Sequence, residues 1–131
     1  MILKKLFATT LLLATILNVC AQTINCKKFK NGTFKMTYLG KNGIVKRKGN
    51  IQDEYYNGEK TPSLSFTVKW IDNCTYTLTP TEATRKLNPE IPKDGVMTVK
   101  ITKTTTSSYS CSSAFNFNKT KVFNSELTLI K

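Results

Sequence analysis

The sequence predicts an all-β domain, an antiparallel meander of about eight strands that curls into a small lipocalin-like barrel or a bent sheet, with a β-sandwich as the alternative. Three observations carry that expectation. Thr, Val, Ile and aromatic residues alternate with polar ones at a period of two over most of the chain after residue 31. Apolar residues at helical spacing are nearly absent, apart from the stretch 82–87. Short Gly- and Asn-bearing turns separate the alternating runs, so successive strands can pair locally, and such a meander hides its edges by closing on itself.

The elements follow in order. In 33–38, Phe34, Met36 and Tyr38 share one face and Thr33, Lys35 and Thr37 the other, the pattern of a half-buried strand. The turn Gly40-Lys41-Asn42-Gly43 returns the chain through 44–48, and Gly49-Asn50 turns it again. Residues 51–56 form a third strand of weaker pattern, closed by Asn57-Gly58, a strong hairpin signal that the Lys60-Thr61-Pro62 tail lengthens into a loop. Leu64, Phe66, Val68 and Trp70 then alternate with Ser65, Thr67, Lys69 and Ile71. Asp72-Asn73 turns the chain into Cys74, Tyr76 and Leu78, which alternate with Thr75, Thr77 and Thr79.

Pro80 ends that ladder, and Pro89 and Pro92 limit 82–94 to a loop with one or two helical turns at 82–87. Strand resumes at 96–104 with Met97, Val99 and Ile101 inward, a polar turn leads into 108–114, and 116–119 connects to a last strand over 122–130. Phe34, Phe66, Trp70, Leu78, Val99 and Ile101 are the expected core.

The chain has 131 residues and divides into a leader, 1–21, and one domain, 22–131. Lys4 and Lys5 precede an apolar run over 6–17 that is short for a membrane span, and Val19 and Ala21 are small enough for a signal peptidase, which places cleavage between Ala21 and Gln22. The expected location is secreted or periplasmic. The alternative is a lipoprotein anchored in the envelope through Cys20, against which the bulk of Val19 stands. Processing leaves roughly 110 residues, a size at which one core buries about two-thirds of the unfolded surface.

The processed chain keeps Cys26, Cys74 and Cys111. In an oxidising compartment one pair forms, and Cys26 with Cys74 is the expected disulfide, because both lie at strand edges and the closed loop is long. Cys111 is then a buried small hydrophobe in an alternating strand, with no histidine to make it a nucleophile.

Two segments, Cys26-Lys27-Lys28-Phe29-Lys30-Asn31-Gly32-Thr33-Phe34 and Lys69-Trp70-Ile71-Asp72-Asn73-Cys74-Thr75-Tyr76-Thr77-Leu78, resemble a group of small exported proteins of Bacteroidetes and flavobacteria. Their pattern is C-x-x-F-x-x-G-x-F near the mature start and W-x-x-x-C-x-Y-x-L in mid-chain. The function of that group is unknown; the resemblance implies a shared fold and a Cys26–Cys74 pairing, and no activity.

Function is constrained mainly by exclusion. The chain contains no histidine, which removes imidazole base, proton-shuttle and ligand chemistries. Its carboxylates are scattered, and Asp53 and Glu54 are adjacent and therefore on opposite faces of a strand, poor geometry for paired acid–base work. No nucleophile elbow, phosphate-binding loop or metal spacing occurs, so the expectation is a noncatalytic domain without a cofactor.

Twenty Lys+Arg stand against eight Asp+Glu. Lys27, Lys28, Lys30 and Lys35, with Lys46, Arg47 and Lys48, form a candidate basic patch for an anionic polymer or a lipopolysaccharide surface. Tyr38, Tyr55, Tyr56, Phe66, Trp70 and Tyr76 could instead line a cavity for a small apolar ligand or serve as core, with one ring of the Tyr55-Tyr56 pair exposed. The reading is a monomeric binding module for an anionic or small apolar ligand. A structural envelope protein or an inhibitor acting through a protein partner is the alternative.

Overall fold

Eight antiparallel strands, each hydrogen-bonded to the next, close by pairing the first with the last, so the barrel has no free edge. The computed structural model describes residues 24–38 and 40–131; the expected leader, the expected Ala21/Gln22 cleavage position and Cys20 lie outside them. The strands are β1 (Gly32–Tyr38), β2 (Lys41–Lys48), β3 (Ile51–Tyr56), β4 (Leu64–Asp72), β5 (Thr75–Pro80), β6 (Met97–Thr104), β7 (Ser108–Phe115) and β8 (Asn118–Leu129). The barrel therefore replaces the sandwich alternative. One short helix, α1 (Glu82–Leu87), lies between β5 and β6.

Register shows why the barrel holds together. Phe34 faces Val45, Val68 faces Leu78, Val99 faces Ser113 and Leu127 faces Met36, so inward side chains meet inward side chains across each pair. Asn57 and Gly58 both adopt positive φ, and Glu59 N donates to Tyr56 O at 3.1 Å, the tight turn expected of Asn-Gly, before the loop continues to β4. Two strands are longer than their patterns suggested. β2 begins at Lys41, because Lys41–Gly43 continue the ladder with Tyr38, Thr37 and Met36. β8 begins at Asn118, which pairs with Phe115 before the register skips to Phe123 opposite Ser113, and its exposed first residues carry no alternation.

An up-and-down meander places alternate turns at opposite ends. At one end lie the turns after β2, β4 and β6, together with a 3-10 turn, Lys27–Phe29, that plugs the barrel. Phe29 is fully buried there, 5.2 Å from the Tyr109 ring and 6.5 Å from Phe34 between centroids. The Cys26–Cys74 disulfide ties this plug to the β4–β5 turn. α1 sits at the other end, held to β4 by Thr84, whose Oγ1 accepts from Ser65 N at 2.8 Å and donates to Ser65 O at 3.0 Å. Thr81 caps its N-terminus by accepting from Thr84 N.

Of the expected core, Phe34, Phe66, Leu78, Val99 and Ile101 are buried. Trp70 is only half-buried: it lies at the plugged end, stacked obliquely on Tyr76 at 4.6 Å and covered by the Lys30 ammonium at 5.1 Å.

Candidate ligand-binding cavity

The interior is built in two levels. The lower one, next to the plug, is polar at its centre, and its key residue is Arg47. Arg47 was grouped above with the surface lysines; the structure corrects this, for its side chain is 2 % exposed inside the barrel. The reason is parity: Val45 faces the interior, so the residue two positions on must do the same. Arg47 Nε donates to Gln52 Oε1 at 2.8 Å, Nη1 to Phe29 O at 2.8 Å, and Nη2 to the hydroxyls of Tyr76 at 3.0 Å and Tyr109 at 2.8 Å. The rings of Tyr76 and Phe34 lie 4.6 and 5.2 Å from the guanidinium carbon. Burial works against the charge, but the phenols of Tyr76 and Tyr109 outweigh it and hold the arginine pKa above its usual value. The same burial pushes the Tyr76 hydroxyl well above the usual phenol range.

From Arg47 the polar chain runs up β3. Gln52 Nε2 donates to Glu54 Oε1 at 2.9 Å, and Tyr56 Oη donates to Glu54 Oε2 at 2.7 Å. Gln52, Glu54 and Tyr56 are the inward residues of this strand, while Ile51 points out and is 56 % exposed. Gly43 makes room for Tyr56: a Cβ there would come within 2.7 Å of its ring, so only glycine lets the phenol lie over β2 and reach Glu54.

Above this level is a cavity of about 220 Å3. Gln52, Glu54 and Tyr56 form one polar side, Ser113 and Ser125 add hydroxyls from β7 and β8, and most of the remaining lining is apolar, with Met36, Phe66, Leu78 and Val99 among the strand contributions. Asn88 and Ile91, from the segment after α1, line it at the end opposite the plug together with half-buried Phe115 and Phe123. Cys111 also lines it. That thiol is free and buried, and burial pushes its pKa up to about 11, so it stays protonated at neutral pH and is a poor nucleophile.

Among the aromatic residues singled out from sequence, Tyr56, Phe66 and Tyr76 reach the cavity. Trp70 does not, and Tyr55 lies outside, beneath the Lys46 ammonium at 4.9 Å. Sequence reasoning missed Gln52, Glu54, Phe115 and Phe123. For the first two the signal was available: they share the parity of Tyr56 on a strand that pairs with Val45 and Arg47.

The remaining lysines of the basic patch fall into two groups. Lys35, Lys46 and Lys48 are exposed on the outer face of β1 and β2, where Lys46 sits opposite Thr33 and, on its other side, Asp53. Lys27, Lys28 and Lys30 are carried by the plug. Lys28 is tied down by donating to Thr106 O, and Lys30 by the Trp70 ring.

Glu54 gives the fold a pH dependence whose sign follows from its surroundings. Burial raises its pKa, and the hydrogen bonds from Tyr56 and Gln52 and the charge of Arg47 only partly offset this. A carboxyl whose folded pKa exceeds its unfolded value of about 4.3 stabilises the fold fully below that value and ceases to do so as pH rises through the folded pKa. Unfolding free energy is therefore expected to fall as pH is raised from about 4.3, and Glu54→Gln to flatten that fall and be the more stable protein at neutral pH. Urea titrations of both proteins across this range check it; parallel curves would count against it. Asp72 acts oppositely, because the backbone hydrogen bond from Cys74 lowers its pKa, and its effect is complete below this window.

No protein-family model, curated protein or solved structure matches the chain.

Proposed function

We propose that this protein is an exported, monomeric, noncatalytic binding module that carries one small, largely apolar molecule in the end of its barrel opposite the plug. It is lipocalin-like in the sense that a plugged, closed meander presents an internal cup. The observation that carries the reading is the cavity itself: mostly apolar walls with a few polar groups among them are what a binding site needs and what a packed core lacks. Its volume limits the ligand. A cavity of about 150 Å3 holds benzene, so 220 Å3 suits one ring with a short substituent rather than a long-chain lipid. The signal-like leader and the Cys26–Cys74 disulfide support export. The outward lysines add a long-range attraction for anionic polymer or lipopolysaccharide, which supports an envelope surface as the place where the barrel works.

Propylbenzene is expected to bind the purified protein with a dissociation constant between roughly micromolar and millimolar, measured by calorimetry or by shifts of the Leu78 and Val99 methyl resonances. Ser113→Phe, which places a ring inside the cavity, is expected to abolish binding while the protein still melts cooperatively. Absence of binding to the unmodified protein, or equal binding to the variant, overturns the reading.

A further inference from the structure

Glu54 is the group in this cavity with unspent recognition capacity. An ionised carboxylate offers about four lone-pair sites, and two are taken, one by Gln52 and one by Tyr56. The Gln52 and Tyr56 donors beside it already point at it, which leaves Glu54 as the strongest acceptor in the cavity. Among the described residues, no lysine or arginine nitrogen stands within 4.0 Å of this carboxylate; the positive charge that acts on it is Arg47, separated from it by the Gln52 amide. Arg47 in turn is fixed by four hydrogen bonds to protein and does not line the cavity. A buried carboxyl either meets a cation or has its pKa raised; Glu54, held away from its counter-charge, shows the second, and a ligand cation in contact with it would supply the first. The rings of Tyr56, Phe66, Phe115 and Phe123 surround the same space, and aromatic walls beside a carboxylate are a favourable setting for an ammonium group.

We propose that the ligand is a small primary amine with an aromatic or branched apolar body, its ammonium seated on Glu54 and its body in the apolar part of the cavity. This rests on the cavity being a binding site. The protein's net positive charge disfavours a cation at a distance, but screening beyond about 8 Å at physiological salt leaves contact with Glu54 to decide. The titratable groups that face Glu54 are Arg47 from β2, Tyr56 from its own strand and Cys111 from β7. Burial raises the Glu54 pKa and the amine needs its ionised form, so the amine binds more tightly as pH rises through the folded pKa of Glu54.

The test compares 2-phenylethylammonium, propylbenzene and 3-phenylpropionate, which are close in size and differ in head-group charge, on the unmodified protein and on Glu54→Gln. The ammonium is expected to bind at least about tenfold more tightly than propylbenzene, the carboxylate more weakly than either, and the variant to lose the ammonium preference while keeping propylbenzene. Retained propylbenzene binding shows that the variant is folded. If propylbenzene binds and the ammonium shows no advantage, or keeps its advantage in the variant, the cavity stands and the amine proposal falls. If none of the three binds the unmodified protein, the cavity reading fails and the proposal with it.

Discussion

Replacing Arg47 with alanine is expected to cost about 3–5 kcal/mol of stability, the range found when one partner of a buried charged network is removed. A domain of this size has roughly 5–15 kcal/mol in total, so the variant is at or near the unfolding threshold. The cost comes from what is left behind. The Phe29 carbonyl and Gln52 Oε1 lose their donor inside the barrel, and each orphaned group costs about 1–3 kcal/mol. Tyr76 and Tyr109 are hurt less, because their hydroxyls are 3.0 Å apart and can satisfy each other. Arg47→Lys is expected to fall between wild type and alanine: it keeps the charge, but an ammonium cannot reach Gln52, Phe29 and both phenols at once. Urea unfolding of the three proteins ranks them, and an alanine variant within about 1 kcal/mol of wild type would show that the network does not hold the plugged end together.

That the barrel's centre is held by a buried arginine explains which parts of the molecule were legible from sequence. Where inward residues are apolar, as in Leu64–Asp72, Thr75–Pro80 and Met97–Thr104, alternation fixed strand, face and core together. On Lys41–Lys48 and Ile51–Tyr56 the inward set is Val45 and Arg47, then Gln52, Glu54 and Tyr56, while Ile44 and Ile51 face outward. Reading polar residues as exposed inverts these two strands, and so Arg47 joins the surface lysines and Glu54 passes as a scattered carboxylate. Parity relative to Val45 corrects the assignment, but only once β2 and β3 are known to pair in the register that sets Arg47 against Gln52. The cavity lies further from the sequence still. It is the space that inward side chains from most of the strands leave unfilled, and depends on their volumes across a closed barrel rather than on any local pattern. The disulfide was legible because the three cysteines that follow the expected leader leave few pairings, and the resemblance of the two cysteine-bearing segments to a known group pointed the same way.

Removing the Cys26–Cys74 bond, by the double substitution Cys26→Ser/Cys74→Ser, is expected to destabilise the protein by about 4 kcal/mol, because a bridge across 48 residues restricts the unfolded chain by that much in the loop-entropy model. For a domain of this size the melting temperature should fall by roughly 15 °C or more. Cys111 does not confuse the measurement, since its buried, protonated thiol is slow to exchange while the barrel is folded. The bond also has a local consequence. Cys26 begins the plug, and Phe29 three residues later carries the carbonyl that Arg47 holds. Disulfide and guanidinium thus secure the same short segment from its two ends, one to the β4–β5 turn and the other to the barrel interior. Two fastenings of one element are not independent: once either is lost and the plug loosens, the second holds less. The destabilisation of a triple variant that adds Arg47→Lys to the serine pair is accordingly expected to be smaller than the sum of its parts, by about 0.5–3 kcal/mol. Additive effects would mean that the plug stays seated by the packing of Phe29 against Phe34 and Tyr109 alone, and that the disulfide acts only on the unfolded chain.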